Sequence, residues 1–325
     1  MAVSKSDIKF YLTSLEPEIA QTNTSQSIGG HVSTSSVYPN TTLSSALGLY
    51  VKNISVASVS DLAGFEYLGI NSEIINTESI NSTTITVKSR SINEVTNFHD
   101  SSDRVFGLAV DGLFSQKFND DFKQYRCLAI KNEHASDTAL NVAVHLRQNT
   151  INNSSLVRIA IEMPSNDYHS SSSTGGSSIS LIDTSVAGVF SDNHFKDALL
   201  RMTSGSNKNQ SRIINSYDDS SGTFVLQSSL PFNITSGDNY EVDAGPAQRI
   251  RSGLDSPVFG STRVSSLSEA DSSSPIIIDV SGERTNGDDL KFNDVTYVWL
   301  ERSLRKDSEA FVDNNAILTV NYFTA

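Results

Sequence analysis

The 325-residue chain has a single cysteine and no long apolar run. Cys127 therefore has no partner for an intramolecular disulfide, and its apolar surroundings at 125–130 are typical of a small buried side chain, not of a reactive thiol. No stretch approaches the roughly 20 apolar residues of a membrane helix, and the N-terminal residues lack an apolar signal core. We expect a protein that is made and kept in a cytoplasm unless it leaves inside a larger assembly.

Basic residues are also scarce. The chain has 24 Lys and Arg against 37 Asp and Glu, which gives a formal net charge of −13. Such a surface repels phosphate backbones and anionic membranes, so we expect neither a nucleic acid nor a membrane as partner. The densest basic cluster, at 302–306, lies among acidic residues and is typical of a solvated mixed-charge turn.

The chain lacks the short patterns that mark most catalytic and metal sites. It has no Gly-x-Ser-x-Gly elbow, phosphate-binding loop or dinucleotide fingerprint. The Asp pairs at 120–121, 218–219 and 288–289 lie where turns use Asp anyway, although the carboxylates at 286–294 leave calcium as an alternative. The six histidines form no His-x₃-His pattern: His31, His99, His134, His145, His169 and His194. We assign no catalytic, cofactor-binding or metal-binding residue, and we expect no enzyme.

Short segments of alternating apolar and polar residues are frequent, while Leu-rich amphipathic runs are few. This pattern predicts an all-β protein. The segment 140–146 is the expected hairpin partner of 125–132, and the Ser-rich segment 165–178 is expected to be a flexible loop or linker. The predicted strands outside the central region occupy residues 6–12, 125–132, 140–146, 156–162, 275–280, 297–302 and 316–322.

Tyr297 and Trp299 alternate with Val298 and Leu300, so one pair is expected to face the core and the other to be exposed or at an interface. Exposed aromatic rings could stack on a sugar. A structural role is the favoured interpretation of the two aromatic residues.

The central stretch 202–242 predicts a small twisted β-unit. Its strands are expected at 211–214, 223–226 and 240–242, because these positions are rich in β-branched and aromatic residues. The Asp and Gly residues at 217–222 predict a turn, and Pro231 breaks the ladder because it has no N–H to donate.

A shift of 139 residues places a second copy of this unit near the N-terminus. Residues 72–89 then align with 211–228, with seven identities that include Ile74-Ile75-Asn76 on Ile213-Ile214-Asn215. The strand phase also matches, since Ile85 and Val87 fall on Phe224 and Leu226. The alternative is two unrelated hairpins of similar composition.

These observations divide the chain into a scaffold and two insertions. The scaffold, a β-sandwich of Ig-like or jelly-roll-like type, is expected to consist of residues 1–48, 106–180 and 246–325. The inserted units, small β-barrels, are expected at 49–105 and 181–245. Insertions at hairpin tips leave a sandwich core undisturbed and cost little closure entropy.

Several sequence motifs resemble virion proteins of tailed bacteriophages. The stretch 202–242 (Q-S-R-I-I, Y-D-x-x-x-G-T-F-x-L, L-P-F and G-D-x-Y-E-V) resembles a β-barrel module of phage tail fibres, baseplates and head-associated proteins. The scaffold resembles a phage virion protein family through four further motifs. These are S-D-I-K-F-Y-L at 6–12, S-I-G-G at 27–30, Y-R-C-L-A-I-K-N-x-H at 125–134 and V-W-L-E-R at 298–302. In that family the motifs lie closer together, and the extra sequence here coincides with the insertions.

The resemblance implies a non-enzymatic structural component of a tailed-phage virion, in the tail, baseplate or neck. Its expected partners are other virion proteins and copies of itself in a homo-oligomer, and its expected location is the virion. One alternative is a capsid decoration protein that cements the outside of the head. Another is an adhesion protein that binds a host-surface glycan, which predicts an exposed aromatic cleft on an inserted unit. A depolymerase would require clustered carboxylates, which the sequence does not offer.

Overall fold

The computed structural model describes residues 2–4, 7–21, 26–36, 40–59, 62, 67–70, 73–90, 98–107, 122–149, 155–282, 284, 286–304 and 315–324. These residues form β-strands and one short 3₁₀ turn, Thr184–Val186, and the described part holds no α-helix. The prediction of an all-β fold is confirmed. No helix with the length and hydropathy needed to cross a membrane is present among the described residues.

The strands are named in chain order. They are β1 (Ile8–Ser14), β2 (His31–Ser36), β3 (Asn40–Thr42), β4 (Asn53–Ser55), β5 (Tyr67–Ile70), β6 (Glu73–Asn81), β7 (Thr84–Ser89), β8 (Arg104–Gly107), β9 (Phe122–Asn132), β10 (Ala139–Asn149), β11 (Ser155–Glu162), β12 (His169–Ser172), β13 (Gly175–Gly176), β14 (Ser180–Ile182), β15 (Leu199–Met202), β16 (Ser211–Asp218), β17 (Thr223–Leu226), β18 (Asn239–Val242), β19 (Ile276–Ile277), β20 (Val295–Leu304) and β21 (Asn315–Thr324).

Eight of these strands form a sandwich-like scaffold. One sheet has the order β11-β20-β9-β1-β2 and the other the order β19-β10-β21, with antiparallel pairing throughout. The core between them includes Leu128 and Ile130 from β9 and Val142 and Val144 from β10. In β9 and β20 every second residue near the middle of the strand faces this core, as the two-residue period of a strand requires.

The predicted hairpin of 125–132 with 140–146 is wrong. Strand β9 pairs with β1 and β20, whereas β10 pairs with β19 and β21, so residues 133–138 carry the chain from one sheet to the other. The side chain of Asn132 holds this corner: its amide donates to the carbonyls of Asp137 (3.0 Å) and Leu290 (2.8 Å), and its oxygen accepts from the His134 amide (2.9 Å). The alternation of apolar and polar residues identifies the buried face of each strand. The same alternation occurs whether two strands are hydrogen-bonded neighbours in one sheet or lie in opposite sheets of the sandwich.

All seven strands predicted outside the central region overlap observed strands, although 275–280 is reduced to the two residues of β19. The predicted strands 211–214, 223–226 and 240–242 lie within β16, β17 and β18. In the turn between β16 and β17, Gly222 has a φ of 64°, which glycine adopts without strain.

Two small barrels are attached to the scaffold. The first barrel has the strand order β3-β8-β5-β6-β7-β4, and Leu43, just after β3, bridges to Val56, just after β4, so the pairing runs round in a ring. The second barrel has the order β12-β18-β15-β16-β17-β14-β13. Its ring closes because β12 and β13 are nearly continuous in the chain and pair at opposite edges. Each barrel encloses its own apolar core.

The two barrels have one topology. Strands β3, β4, β5, β6, β7 and β8 occupy the places of β12, β14, β15, β16, β17 and β18, with the same neighbours. The 139-residue shift agrees with this equivalence at the core, since Ile75 and Ile214 are both buried, as are Ile85 and Phe224. The division of the chain at 48, 105, 180 and 245 stays a prediction. The strands of the first barrel lie within 40–107, and those of the second within 169–242.

The segment 165–178 is not a linker. It contains β12, paired with β18, and β13, paired with β14. At the ring closure a Cβ on Gly176 would lie 2.2 Å from the carbonyl oxygen of Ser180, so this position requires glycine. A low-complexity composition is therefore compatible with paired strands in this segment.

Candidate assembly surfaces

The described residues contain no group of three or more His, Cys, Asp or Glu side chains arranged to hold a metal ion. Cys127 is fully buried in the five-stranded sheet, and burial raises the pKa of its thiol well above the usual range. His99 and His145 are buried, and the other four histidines are partly buried.

His169 and His194 both pack on Phe190 in the second barrel, and His169 Nε2 lies 3.3 Å from the hydroxyl of Tyr240, which donates to Asp183 Oδ2 at 2.8 Å. Burial raises the pKa of the Tyr240 hydroxyl, so this group stays a proton donor inside the barrel core.

The loop 286–294, for which the sequence left calcium binding as an alternative to a simple turn, is hydrogen-bonded to an arginine. Arg284 is buried and donates to the carbonyl oxygens of Gly287 (3.1 Å) and Asp289, and its Nη2 lies 3.4 Å from Asp294 Oδ2. Asn286 donates to the same carboxylate oxygen at 2.7 Å. Three of the oxygens that a calcium ion could use, the carbonyls of Gly287 and Asp289 and one carboxylate oxygen of Asp294, are thus bonded to a cation that belongs to the chain.

Of the other two Asp pairs, the pair 218–219 lies in a turn. Asp218 accepts from the amide and hydroxyl of Ser220, and Asp219 accepts from the Phe190 amide at 3.1 Å. The pair 120–121 and the basic residues 305–306 lie outside the described residues.

Tyr297 and Trp299 are fully buried, which corrects the expectation that one face of β20 is exposed or at an interface. Irregular chain at 244–268 covers that face of the sheet. Trp299 Nε1 donates to Glu162 Oε2 at 2.6 Å, and the Tyr297 hydroxyl donates to the Gly245 carbonyl at 2.9 Å. Burial raises the pKa of the Glu162 carboxyl. These aromatic rings cannot stack on a sugar.

A cleft of about 240 Å³ separates the scaffold from the second barrel. Arg201 of β15 lies in its wall with its guanidinium 2.6 Å from Glu18, 3.1 Å from Glu241 and 3.8 Å from Asp243. Glu18 belongs to the scaffold, whereas Glu241 lies in β18 of the second barrel and Asp243 directly follows that strand. The charged lining of the cleft is therefore an ionic joint between two parts of the chain.

A buried ionic cluster holds the loops at one end of the first barrel. Glu73, fully buried, accepts from Arg90 Nε (2.8 Å) and Nη2 (2.6 Å), and His99 Nε2 lies 2.7 Å from its Oε2. Arg90 also donates to the carbonyl of Gly48. Burial by itself raises the pKa of Glu73, and the hydrogen bonds and charges of Arg90 and His99 outweigh it, so that the pKa is lowered overall.

Exposed apolar side chains stand on the loops that this cluster fixes. Tyr50 is 91 % exposed and Phe98, next to His99, is 74 % exposed, with Val51 partly exposed beside them. The backbones of Leu47 and His99 are joined by a bridge, with hydrogen bonds of 2.8 and 3.1 Å. We call this surface, made of Tyr50, Val51 and Phe98, the first tip.

The second barrel has an equivalent surface. Asn207 is fully buried and clamps the backbone of Phe232, donating to its carbonyl at 2.9 Å and accepting from its amide at 3.1 Å. The Phe232 side chain is 58 % exposed, and Ile179 is exposed on the adjoining loop. We call Phe232 and Ile179 the second tip.

The two tips correspond in the duplicated topology. Phe98 lies six residues before the first residue of β8, and Phe232 lies seven before that of β18. Val51 lies two residues before β4, and Ile179 immediately before β14. Both barrels therefore expose a phenylalanine and an aliphatic residue at the same end. These residues were not predicted from the sequence, where the available signal was an apolar residue isolated in a polar turn.

Strand β21 lies at a sheet edge. Among the described residues no strand pairs with the outer side of β21, whose sequence, NAILTVNYFT, has no charge and no proline. The outer edge of β11, by contrast, is covered by hydrogen bonds with Ser265 and Ser268, and β19 has only two residues. Natural edges are normally protected by charge, proline or brevity.

No family model matches the chain, and no curated protein or solved structure matches it significantly.

Proposed function

We propose that the chain is a non-enzymatic structural component of a tailed-phage virion, which assembles through the edges of its sandwich and the tips of its barrels. The observation that carries the proposal is the pair of tips, because the same apolar chemistry is exposed at the same end of two barrels. Apolar patches held out on rigid loops are typical of protein–protein interfaces.

The tips are pre-organised for contact. Buried polar groups, Glu73 with Arg90 and Asn207, fix the loops that carry Phe98 and Phe232. A partner therefore gains the apolar contact with little loss of loop entropy. Aromatic residues at the centre of an interface commonly dominate its binding energy.

The proposal also agrees with the bonding of the buried carboxylates, which are occupied within the fold. Glu73, Glu162, Asp294 and Glu301 each bind side chains or backbone groups of the same chain. These four carboxylates are thus bonded within the fold and not directed at a substrate.

The first experiment is the copy number of the protein in purified virions, measured by quantitative mass spectrometry against the major capsid protein. A copy number per virion that corresponds to a single ring of subunits supports placement in the tail, baseplate or neck. A number close to that of the capsid protein supports the alternative, capsid decoration. Absence from the particles overturns the virion proposal.

A second experiment tests the tips. The double variant Phe98→Ser/Phe232→Ser should be incorporated into particles at least about tenfold less, since each lost aromatic contact costs on the order of 1–2 kcal/mol. The matched control is Leu254→Ser/Val258→Ser, which removes two apolar side chains that are equally exposed but lie on the scaffold. Equal incorporation of both double variants would remove the tips from the proposal.

Glycan binding is a second candidate function, favoured by the exposed Tyr50 and Phe98 rings of the first tip. Aromatic faces stack on sugars. On a glycan array, binding by the purified protein that Tyr50→Ala abolishes would support adhesion. Absence of binding, or binding unaffected by that substitution, would exclude it at this tip.

A further inference from the structure

We propose that the cleft between the scaffold and the second barrel binds a zwitterion, an α-amino acid with an aliphatic side chain, through Lys131 and Asp243. The site goes beyond the proposed function, and no residue of the two tips takes part in it. Lys131 lies in β9 of the scaffold, and Asp243 directly follows β18 of the second barrel. Both side chains line the cleft, whose volume is about 240 Å³.

The ammonium of Lys131 supplies the positive end of the site. The residue is partly buried, and its ammonium makes no hydrogen bond or ion pair within the described part of the chain. The carboxylate of Glu133, two residues further along the chain, is bonded to Lys9 and to the hydroxyl of Tyr11 instead. A cation that is partly withdrawn from water gains from a counter-charge. Lys131 can therefore bind the carboxylate of a ligand.

The carboxylate of Asp243 supplies the negative end. Its Oδ1 is buried and has no hydrogen-bond partner among the described residues, and its Oδ2 lies 3.8 Å from Arg201, which is beyond hydrogen-bond length. Burial raises the pKa of this carboxyl, and the charges of Lys131 and Arg201 offset only part of that rise. The side chain is 24 % exposed, so the ammonium group of a ligand in the cleft can reach it.

The rest of the cleft decides the kind of ligand. A ligand with a single charge would leave Lys131 or Asp243 without a counter-charge, whereas a zwitterion satisfies both and connects the scaffold to the barrel. His31 is neutral, because burial lowers its pKa to about 4, and a neutral imidazole still offers one N–H to a carboxylate. The apolar part of the wall suits an aliphatic side chain and includes Val32, Leu199 and Val295.

Calorimetric titration of the full-length protein with leucine tests the site. We expect leucine to bind at least about tenfold more tightly than isocaproate, which lacks the ammonium, and than isoamylamine, which lacks the carboxylate, because each of these loses one charge-assisted bond. The three compounds share one aliphatic group, so the comparison isolates the two charges.

Substitutions locate the binding in the cleft. Lys131→Met and Asp243→Asn should each weaken the binding of leucine at least about tenfold. The matched control is Lys208→Met, which removes an exposed ammonium of the second barrel outside the cleft and should leave the affinity unchanged. Circular dichroism shows whether each variant is folded, and either cleft variant alone suffices for the test.

Several outcomes would overturn the inference. They are absence of binding at millimolar leucine, binding of isocaproate or isoamylamine as tight as that of leucine, and unchanged affinity in a folded Lys131→Met or Asp243→Asn variant. Binding of glucose but not of leucine would also overturn it, since a polyol would then satisfy the two groups. The titration uses purified protein, so its outcome does not depend on whether the protein is present in virions.

Discussion

Replacing Glu73 by Gln is expected to loosen one end of the first barrel. The carboxylate is fully buried and receives two hydrogen bonds from Arg90 and a contact of 2.7 Å from His99. The variant keeps the size of the side chain but leaves the guanidinium, whose side chain is only 8 % exposed, without its counter-charge. Breaking a buried ion pair in this way costs about 3–5 kcal/mol.

Hydrogen exchange of residues 73–90 measures this loss locally. A change of about 3–5 kcal/mol in the opening free energy should speed exchange there by roughly 100-fold or more, up to the limit set by global unfolding. The single tryptophan, Trp299, lies in the scaffold, so its fluorescence should report little change. Glu78→Gln is the control, because Glu78 lies on the same strand and is exposed.

The effect should depend on pH. The pKa of Glu73 is lower in the folded state than its ordinary value of 4.5, so its stabilising contribution is present above pH 4.5 and is lost as the pH falls through the folded pKa. The difference between wild type and Glu73→Gln should therefore be large at neutral pH and should shrink at acidic pH. Equal exchange in Glu73→Gln and Glu78→Gln at neutral pH would refute the reasoning.

Three further substitutions or additions test other parts of the fold. Asn207→Ala should expose the backbone of Phe232 to exchange, since two buried hydrogen bonds are lost at a cost of about 1–3 kcal/mol. Calcium or a chelator should leave the melting temperature unchanged, because Arg284 is bonded to the oxygens of the loop 286–294. Trp299→Phe should lower the free energy of unfolding of the scaffold by about 1–3 kcal/mol in a denaturant titration, because Glu162 loses a buried donor.

Each of these has a control or a contrary outcome. Asn233→Ala changes an exposed amide one residue from Phe232 and should leave the exchange of that loop as it is. A rise in melting temperature with calcium would mean that the ion displaces the guanidinium. An unchanged denaturation midpoint for the Trp299 variant would mean that water or another group satisfies the Glu162 carboxylate.

The sequence was sufficient for most scaffold strands and for the duplication, because both depend on buried positions, but not for short strands such as β12 and β13. Alternation located β9, β10 and β20, and the 139-residue shift matched Ile85 with Phe224, which occupy equivalent places in the two barrel cores. Pairing was harder to predict, since β9 and β10 belong to different sheets and Asn132 forms the corner between them. No local pattern distinguishes such a corner from a hairpin loop.

The candidate surfaces could not be predicted in the same way. Exposure of Phe98 and Phe232 depends on Glu73 and Asn207, polar residues that a sequence pattern assigns to the surface and that the fold buries. Conversely, Tyr297 and Trp299 are buried because the irregular chain at 244–268 covers them, and irregular chain leaves no period to detect. Burial of a few polar side chains thus decides which aromatic residues a partner can reach.

The two tips expose similar apolar side chains at the same end of two barrels of one topology, so we expect that one neighbouring protein can contact both. If a neighbouring protein binds both, the second contact forms at a high effective concentration, and the two weak contacts together give a strong one. Removing Phe98 alone should then reduce incorporation about as much as removing Phe232 alone, and the double variant should lose more than either, because a single tip still binds in each single variant. Incorporation of a single variant at the wild-type level would mean that its tip makes no contact in the particle.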